Sequence, residues 1–135
     1  MIAVKRCLPE HVSLAWPVVE PWLRKANNRY PPVRRLEDDL IDLEGGSQQL
    51  WLVLEQGTII AAVTTKVHDQ PLMRVCSMRL TGGTKLVKWR ALAIAEIKKF
   101  AQENGCKRLE QLGPKGWRRL NPEFRHYGEW LVMEL

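Results

Sequence analysis

The sequence predicts one α+β domain: a strand and two helices, three antiparallel strands, a long helix, a further strand, a short helix and a closing strand. Three observations carry this expectation. "QLWLVLEQGTIIAAVTTKV" sets two apolar runs rich in β-branched and aromatic residues around Glu55, Gln56 and Gly57, the pattern of a hairpin. "PLMRVCSMRLTGG" follows as a third strand, with Met73, Val75, Ser77 and Arg79 alternating against Arg74, Cys76, Met78 and Leu80. From Leu86 to Asn104 the residues Leu86, Trp89, Ala93, Ile97, Phe100 and Ala101 recur at helical spacing, and Gly105 supplies the stop.

The remaining elements follow in order. "IAVKRCL" is a short β-like run, and Pro9-Glu10 opens a helical pattern that Pro17 and Pro21 are expected to kink or divide before about Ala26. After the turn cluster "NNRYPP", the stretch "VRRLEDDLIDLEGG" places Val33, Leu36, Leu40 and Leu43 on one helical face and stops at Gly45 and Gly46. Beyond the long helix, "CKRLEQLG" reads as a strand, "PKGWRRLNPEF" as a short helix or turn, and "EWLVMEL" as a terminal strand. No repeat, low-complexity tract or linker interrupts the 135 residues, and a hydrophobic content of 45% is enough for a single core over 1–135.

Composition narrows the setting. No stretch approaches the roughly 20 apolar residues of a membrane helix, and "MIAVKRCLPEHV" carries charge where a signal peptide would be apolar, so a cytoplasmic protein is expected. Cys7, Cys76 and Cys106 are odd in number and far apart, and His11, His68 and His126 are scattered; idle thiols in a reducing compartment, and no metal, are expected. The net charge of +6 is uneven: Lys85 to Arg125 holds eleven Lys or Arg against four Glu, a local +7. Such a block suits an anionic cofactor or nucleic acid, or is simply a solvated surface.

"LTGGTKLVKWR" joins the third meander strand to the long helix. The N–H groups at a helix start carry about half a positive charge, and glycines let a ligand approach the backbone closely, so such a turn can grip a pyrophosphate. It can equally be a hinge at which the chain reverses.

The element order resembles that of the GNAT acyltransferase superfamily. More narrowly, "GGSQQLWLVLEQGTIIAAVTTKV", the "TGG" turn, "IAEIKKFAQENGCKRLE" and "GPKGWRRL" before "YGEWLVMEL" look like small GNAT-like proteins of tailed phages and prophages. The resemblance implies α/β/α layers about a mixed central sheet of about six strands, with an antiparallel N-terminal meander. It also implies an acetyl-CoA or CoA site on the third meander strand and the following turn and helix, which here are Leu80, Thr81, Gly82, Gly83, Thr84, Lys85 and Lys88.

Two departures from the family pattern stand out. Its helix-start motif, an Arg or Gln, two residues, Gly, one residue, and Gly or Ala, falls on Lys85, Lys88 and Arg90 when "FAQENGC" is aligned, so long cations occupy both small positions. The tyrosine that protonates the leaving thiolate in many members is replaced by Phe124 in "EFRHYGEW", with Tyr127 three residues later read as a packing aromatic. "MRVCSMRL" holds no carboxylate to act as base, and Ser77 offers only a hydroxyl; no catalytic residue is assigned.

Other signals have plain readings. Trp117 beside Lys115, Arg118 and Arg119 suits a stacking platform, but a core tryptophan under a surface turn is preferred, as it is for Trp51, Trp89 and Trp130. Trp16 and Trp22 either line a groove or fix the packing of their helix. Glu37, Asp38, Asp39, Asp42 and Glu44 are read as the solvated side of an amphipathic helix rather than an attractor of cationic amines.

Three functions compete. One is an acyl-CoA-dependent N-acyltransferase acting on a small-molecule or protein amine. The second is a catalytically silent phage module that binds a phage protein or a second copy of itself. The third is nucleic-acid binding through the basic block, ranked last because the cations are spread and no recognised motif holds them.

Overall fold

The computed structural model describes residues 1–111, 119, 121–125, 127 and 131–135. Five strands form one sheet in the order β1 (Ile2–Cys7), β2 (Gln49–Glu55), β3 (Thr58–Asp69), β4 (Arg74–Gly83) and β5 (Arg108–Gln111). The first four pair antiparallel, and β5 lies parallel to β4. A parallel pair needs a long crossover, which helix α3 (Leu86–Glu103) supplies. Gln56 and Gly57, at φ 50° and 82°, make the tight β2–β3 turn expected from the sequence.

Strand alternation divides the core into two layers. Trp51, Val53, Val63, Cys76 and Met78 face α3 and pack on Trp89, Ala93, Ile97 and Phe100. Leu50, Ala62 and Leu80 face the opposite way, under α1 (Val12–Asn27) and α2 (Leu36–Gly45), where Val12, Val19, Leu23, Leu36 and Leu43 are buried. Each fully buried aliphatic side chain of this kind contributes about 1.5–3 kcal/mol. Trp51 and Trp89 are core residues as expected, and each indole N–H has an acceptor, Thr65 Oγ1 at 2.9 Å and the Thr84 carbonyl at 2.7 Å.

The structure corrects the sequence reading in five places. Pro17 and Pro21 do not divide α1, which runs unbroken after a 3-10 turn at Pro9–His11. They are four residues apart on the exposed side, opposite Val12, Ala15, Val19 and Leu23, so the carbonyls they leave without intrahelical donors face water. Val33 precedes α2 and is 99% exposed; its place on the buried face is taken by Asp39, which is wholly buried rather than solvated.

In β4 the alternation holds only as far as Met78. Thr65 pairs with Met78 but Val63 pairs with Thr81, so β4 carries one extra residue opposite Thr64. The bulge puts Leu80 on the same side of the sheet as Arg79, and the Leu80 N–H is taken by Thr64 Oγ1 at 3.1 Å. Finally, Leu131, Val132, Met133 and Leu135 are exposed and outside any strand, so five of the roughly six expected strands are found among the described residues. The reading of 114–124 as a short helix or turn, and those of Trp117 and Trp130, fall largely or wholly outside the described residues.

Candidate functional site

The glycine turn is explained by packing before any ligand is considered. A Cβ on Gly82 would lie 2.7 Å from Trp22 Cβ and 2.8 Å from the Trp22 carbonyl oxygen. A Cβ on Gly83, at φ +120°, would lie 2.4 Å from Ala61 Cα. The two missing side chains let α1 cross β4 and let β4 stay close to β3. Thr84 then donates both its N–H (2.9 Å) and its hydroxyl (3.2 Å) to the Ile60 carbonyl, which pins the turn to β3.

Lys85, immediately before α3, sits at φ 59°, a left-handed geometry that costs a non-glycine residue about 1–2 kcal/mol. Its ammonium is paired with Glu55 of β2, and this hydrogen bond holds the Glu55 carboxyl below its ordinary range. Lys88 is exposed one turn into the helix, where Val87 is exposed as well. The Lys88 N–H is used by the Lys85 carbonyl at 2.9 Å, while a helix starting at Leu86 leaves the other first-turn N–H groups without intrahelical acceptors. Two lysines beside such a helix start make a donor set that suits a phosphate.

Next to that start lies the described end of the β4–β5 pair. The pairing runs from Val75–Arg108 to Met78–Gln111, and Thr81 beyond the bulge lines a gap together with Met78, Leu86, Trp89, Arg90 and Gln111. The gap is narrow, about 10 Å³, the room of a single water. Arg90 crosses it: Nη1 reaches Asn121 Oδ1 at 3.2 Å and Glu123 Oε1 at 3.4 Å, and Asn121 Nδ2 donates to Gln111 Oε1 at 3.2 Å. Of the expected cofactor residues, Thr81 faces this gap and Lys85 and Lys88 flank the helix start. Leu80 is buried on the opposite face, and Gly82, Gly83 and Thr84 are engaged in packing.

The acid check gives a plain result. Phe124 packs partly buried against the α3-side core, and Tyr127 is 72% exposed with the Arg108 guanidinium 5.8 Å from its ring. Neither lines the gap.

On the other face of β3 and β4 lies a cleft of about 360 Å³ lined by Arg34, Lys66, His68, Ser77 and Arg79. Antiparallel register sets Lys66 opposite Ser77, and His68 Nε2 lies 2.8 Å from Ser77 Oγ. Buried Asp39 organises one wall: its Oδ1 accepts from Arg79 Nη2 at 2.9 Å and Gln48 Nε2 at 2.8 Å, with Arg34 Nε at 3.7 Å. Arg34 Nη2 donates to Asp42 at 2.8 Å, and Gln48, then Arg34, keep the Asp42 carboxyl below its usual range. Reading the sequence singled out Ser77 here but missed Arg34, Lys66 and His68. The signal available was the hairpin register, which brings Lys66 and His68 beside Ser77 once the β3–β4 turn is fixed.

Layer order, meander, crossover helix and parallel fifth strand together define the fold of the GNAT acetyltransferases, as the sequence led one to expect. Solved structures share it end to end. A predicted acetyltransferase from Clostridium acetobutylicum, with acetyl-CoA, matches at TM-score 0.67 and 15% identity over 99% of this chain and 96% of that one. AAC(6')-Iy, in complex with the bisubstrate analog CoA-S-monomethyl-acetylneamine, matches at TM-score 0.71 and 11% identity over 100% and 98%. Ribosomal-protein-alanine N-acetyltransferase from Brucella melitensis matches at 0.66 and 12% identity over 100% and 98%. No protein-family model and no curated protein sequence matches the chain.

Proposed function

We propose that the protein is an acetyl-CoA-dependent N-acyltransferase of the GNAT type, acting on an amine. The observation that carries this is the start of α3, with Lys85 and Lys88 beside the gap lined by Thr81, Leu86 and Gln111, in a fold shared over its whole length with structures holding acetyl-CoA or a CoA analog. Lys85, Lys88 and the free first-turn N–H groups would hold the pyrophosphate, and the β4 backbone at Leu80 to Thr84 would run beside the rest of the cofactor. Acetyl-CoA supplies an acyl group activated as a thioester, so that an unprotonated amine displaces the thiol and the proton leaving nitrogen ends on sulfur. His68, held by Ser77, is an imidazole, the side-chain type that most often takes such a proton. The cleft, lined by Ser77 and Arg79, and the gap, lined by Met78 and Thr81, flank neighbouring residues of β4 on opposite faces of the sheet.

A second reading is a silent GNAT-like protein, of the kind found in tailed phages, that works through a partner. It is favoured by the narrowness of the gap and by the Arg90–Asn121–Gln111 bridge across it.

Calorimetric titration with acetyl-CoA and with CoA separates the two. Micromolar binding that Lys88→Glu weakens about tenfold supports the first reading, because among the described residues Glu55 is ion-paired with Lys85 and Lys88 acts on it only through space. Binding that appears only in Arg90→Ala supports the second, since that change removes the bridge. Absence of binding in both variants and parent would overturn acyl transfer.

A further inference from the structure

The basic cleft is built for negative charge. Three permanent cations, Arg34, Lys66 and Arg79, line it, and the acids in contact with them are Asp39 and Asp42. Asp39 is committed to Arg79 and Gln48, and Asp42 to Arg34 and Gln48. Lys66 has no acid partner among the described residues, so the cleft carries one uncompensated positive charge. Glu110, in register with Ser77 on β5, is also engaged and meets Arg108 at 3.5 Å.

The arginines of this cleft are held by the acids beneath them. In that cluster the Nε atoms of Arg34 and Arg79 and the acceptors Asp39 Oδ2 and Gln48 Oε1 are all buried without a hydrogen-bond partner, so the donors open to a ligand are the outer guanidinium nitrogens and Lys66. Asp39 holds Arg79 and steers Arg34 from beneath, so an incoming acceptor meets guanidinium groups already in place. His68 and Ser77 add a hydroxyl and an imidazole on the same wall. Cationic donors around an open cleft of about 360 Å³ suit a small anion rather than a polycation.

We propose that this cleft binds an anionic group, a carboxylate or a phosphate, carried by the acceptor amine. The acceptor assignment rests on the acyl-transfer reading above, whereas the anion site rests on the cleft alone. It separates this chain's acceptor from the aminoglycosides named for several proteins of the same fold. An amino acid, an acidic peptide end or a phosphorylated amine satisfies the chemistry, with the anion at Lys66 and the two arginines and the amine turned toward the bulge.

The test is an amide chemical-shift titration of the whole ¹⁵N-labelled chain with inorganic phosphate, and separately with succinate, at fixed ionic strength. The expected result is saturating shifts at Lys66, His68 and Ser77, weakened about tenfold in Lys66→Glu and less in Lys66→Gln, with thermal melts showing that both variants fold. A response to phosphate alone identifies a phosphorylated acceptor, and one to succinate alone a carboxylate. Shifts confined to Leu86–Lys88, or an affinity unchanged in Lys66→Glu, would overturn the site. A parallel titration with acetyl-CoA keeps the two readings apart. Acetyl-CoA binding without anion binding sinks the cleft and leaves acyl transfer standing; anion binding without acetyl-CoA binding sinks the acceptor assignment together with acyl transfer.

Discussion

Gly82→Ala discriminates between a turn that grips a ligand and one that lets two elements touch. The new Cβ would sit 2.7 Å from Trp22 Cβ and 2.8 Å from the Trp22 carbonyl oxygen, where carbon atoms rest at about 3.5–4.0 Å, so α1 must retreat by about 1 Å. Trp22 lies late in an α1 that is anchored by Val12, Val19 and Leu23, and the retreat spreads into that layer. Overpacking of this kind costs about 1–3 kcal/mol, and the stiffer unfolded chain returns about 0.5 kcal/mol, leaving a loss of about 1.5 kcal/mol. For a chain of this length that lowers the melting midpoint by about 5 °C. Urea unfolding followed by tryptophan fluorescence, with no ligand added, reads the effect directly. A variant as stable as its parent that has lost acetyl-CoA binding would refute the packing argument and return Gly82 to the ligand. Gly83→Ala should be worse, because its Cβ meets the Ala61 backbone at 2.4 Å and its φ of +120° disfavours any side chain.

Asp39→Asn removes the charge from a wholly buried carboxylate that serves Arg79 and Gln48, and is expected to cost about 3 kcal/mol in denaturant unfolding. A loss below about 1 kcal/mol would show that the arginines find other partners. With pH, the Glu37, Asp38, Asp42, Glu55 and Asp69 carboxyls are all held below their ordinary values in the folded chain, chiefly by hydrogen bonds. Their support is therefore complete above the unfolded carboxylate range near about 4 and is lost as pH falls through the folded values. Thermal melts should be level from about pH 5 to about pH 8 and fall below about pH 4, more weakly in high salt; a decline already between about pH 7 and 5 would contradict the assignment. Burial, with a smaller contribution from Cys106, pushes the Cys76 thiol up to about 12, so disulfide-exchange reagents should modify it only on unfolding. Rapid labelling of Cys76 in the native protein would mean that the α3 layer opens.

Local pattern determined what local physics controls. The β2–β3 hairpin, α3 with its glycine stop, the strand β5 after it and the core roles of Trp51 and Trp89 were all legible, because each rests on periodicity or turn chemistry within about twenty residues. Tertiary contact decided the rest. Pro17 and Pro21 stay inside one helix because packing of the opposite stripe outweighs two missing hydrogen bonds that water replaces. Asp39 looks like a solvated acid in sequence, and only the arrival of Arg79, forty residues away, makes it a buried one. A bulge of a single residue in β4 turns Leu80 beneath α1, and no composition or period announces it. The glycines of the turn were visible as glycines, but whether their missing side chains make room for a phosphate or for Trp22 and Ala61 depends on which surfaces the whole chain brings together. The same holds for the basic cleft: Arg34, Lys66, His68, Ser77 and Arg79 become one site through strand register and a loop from another layer.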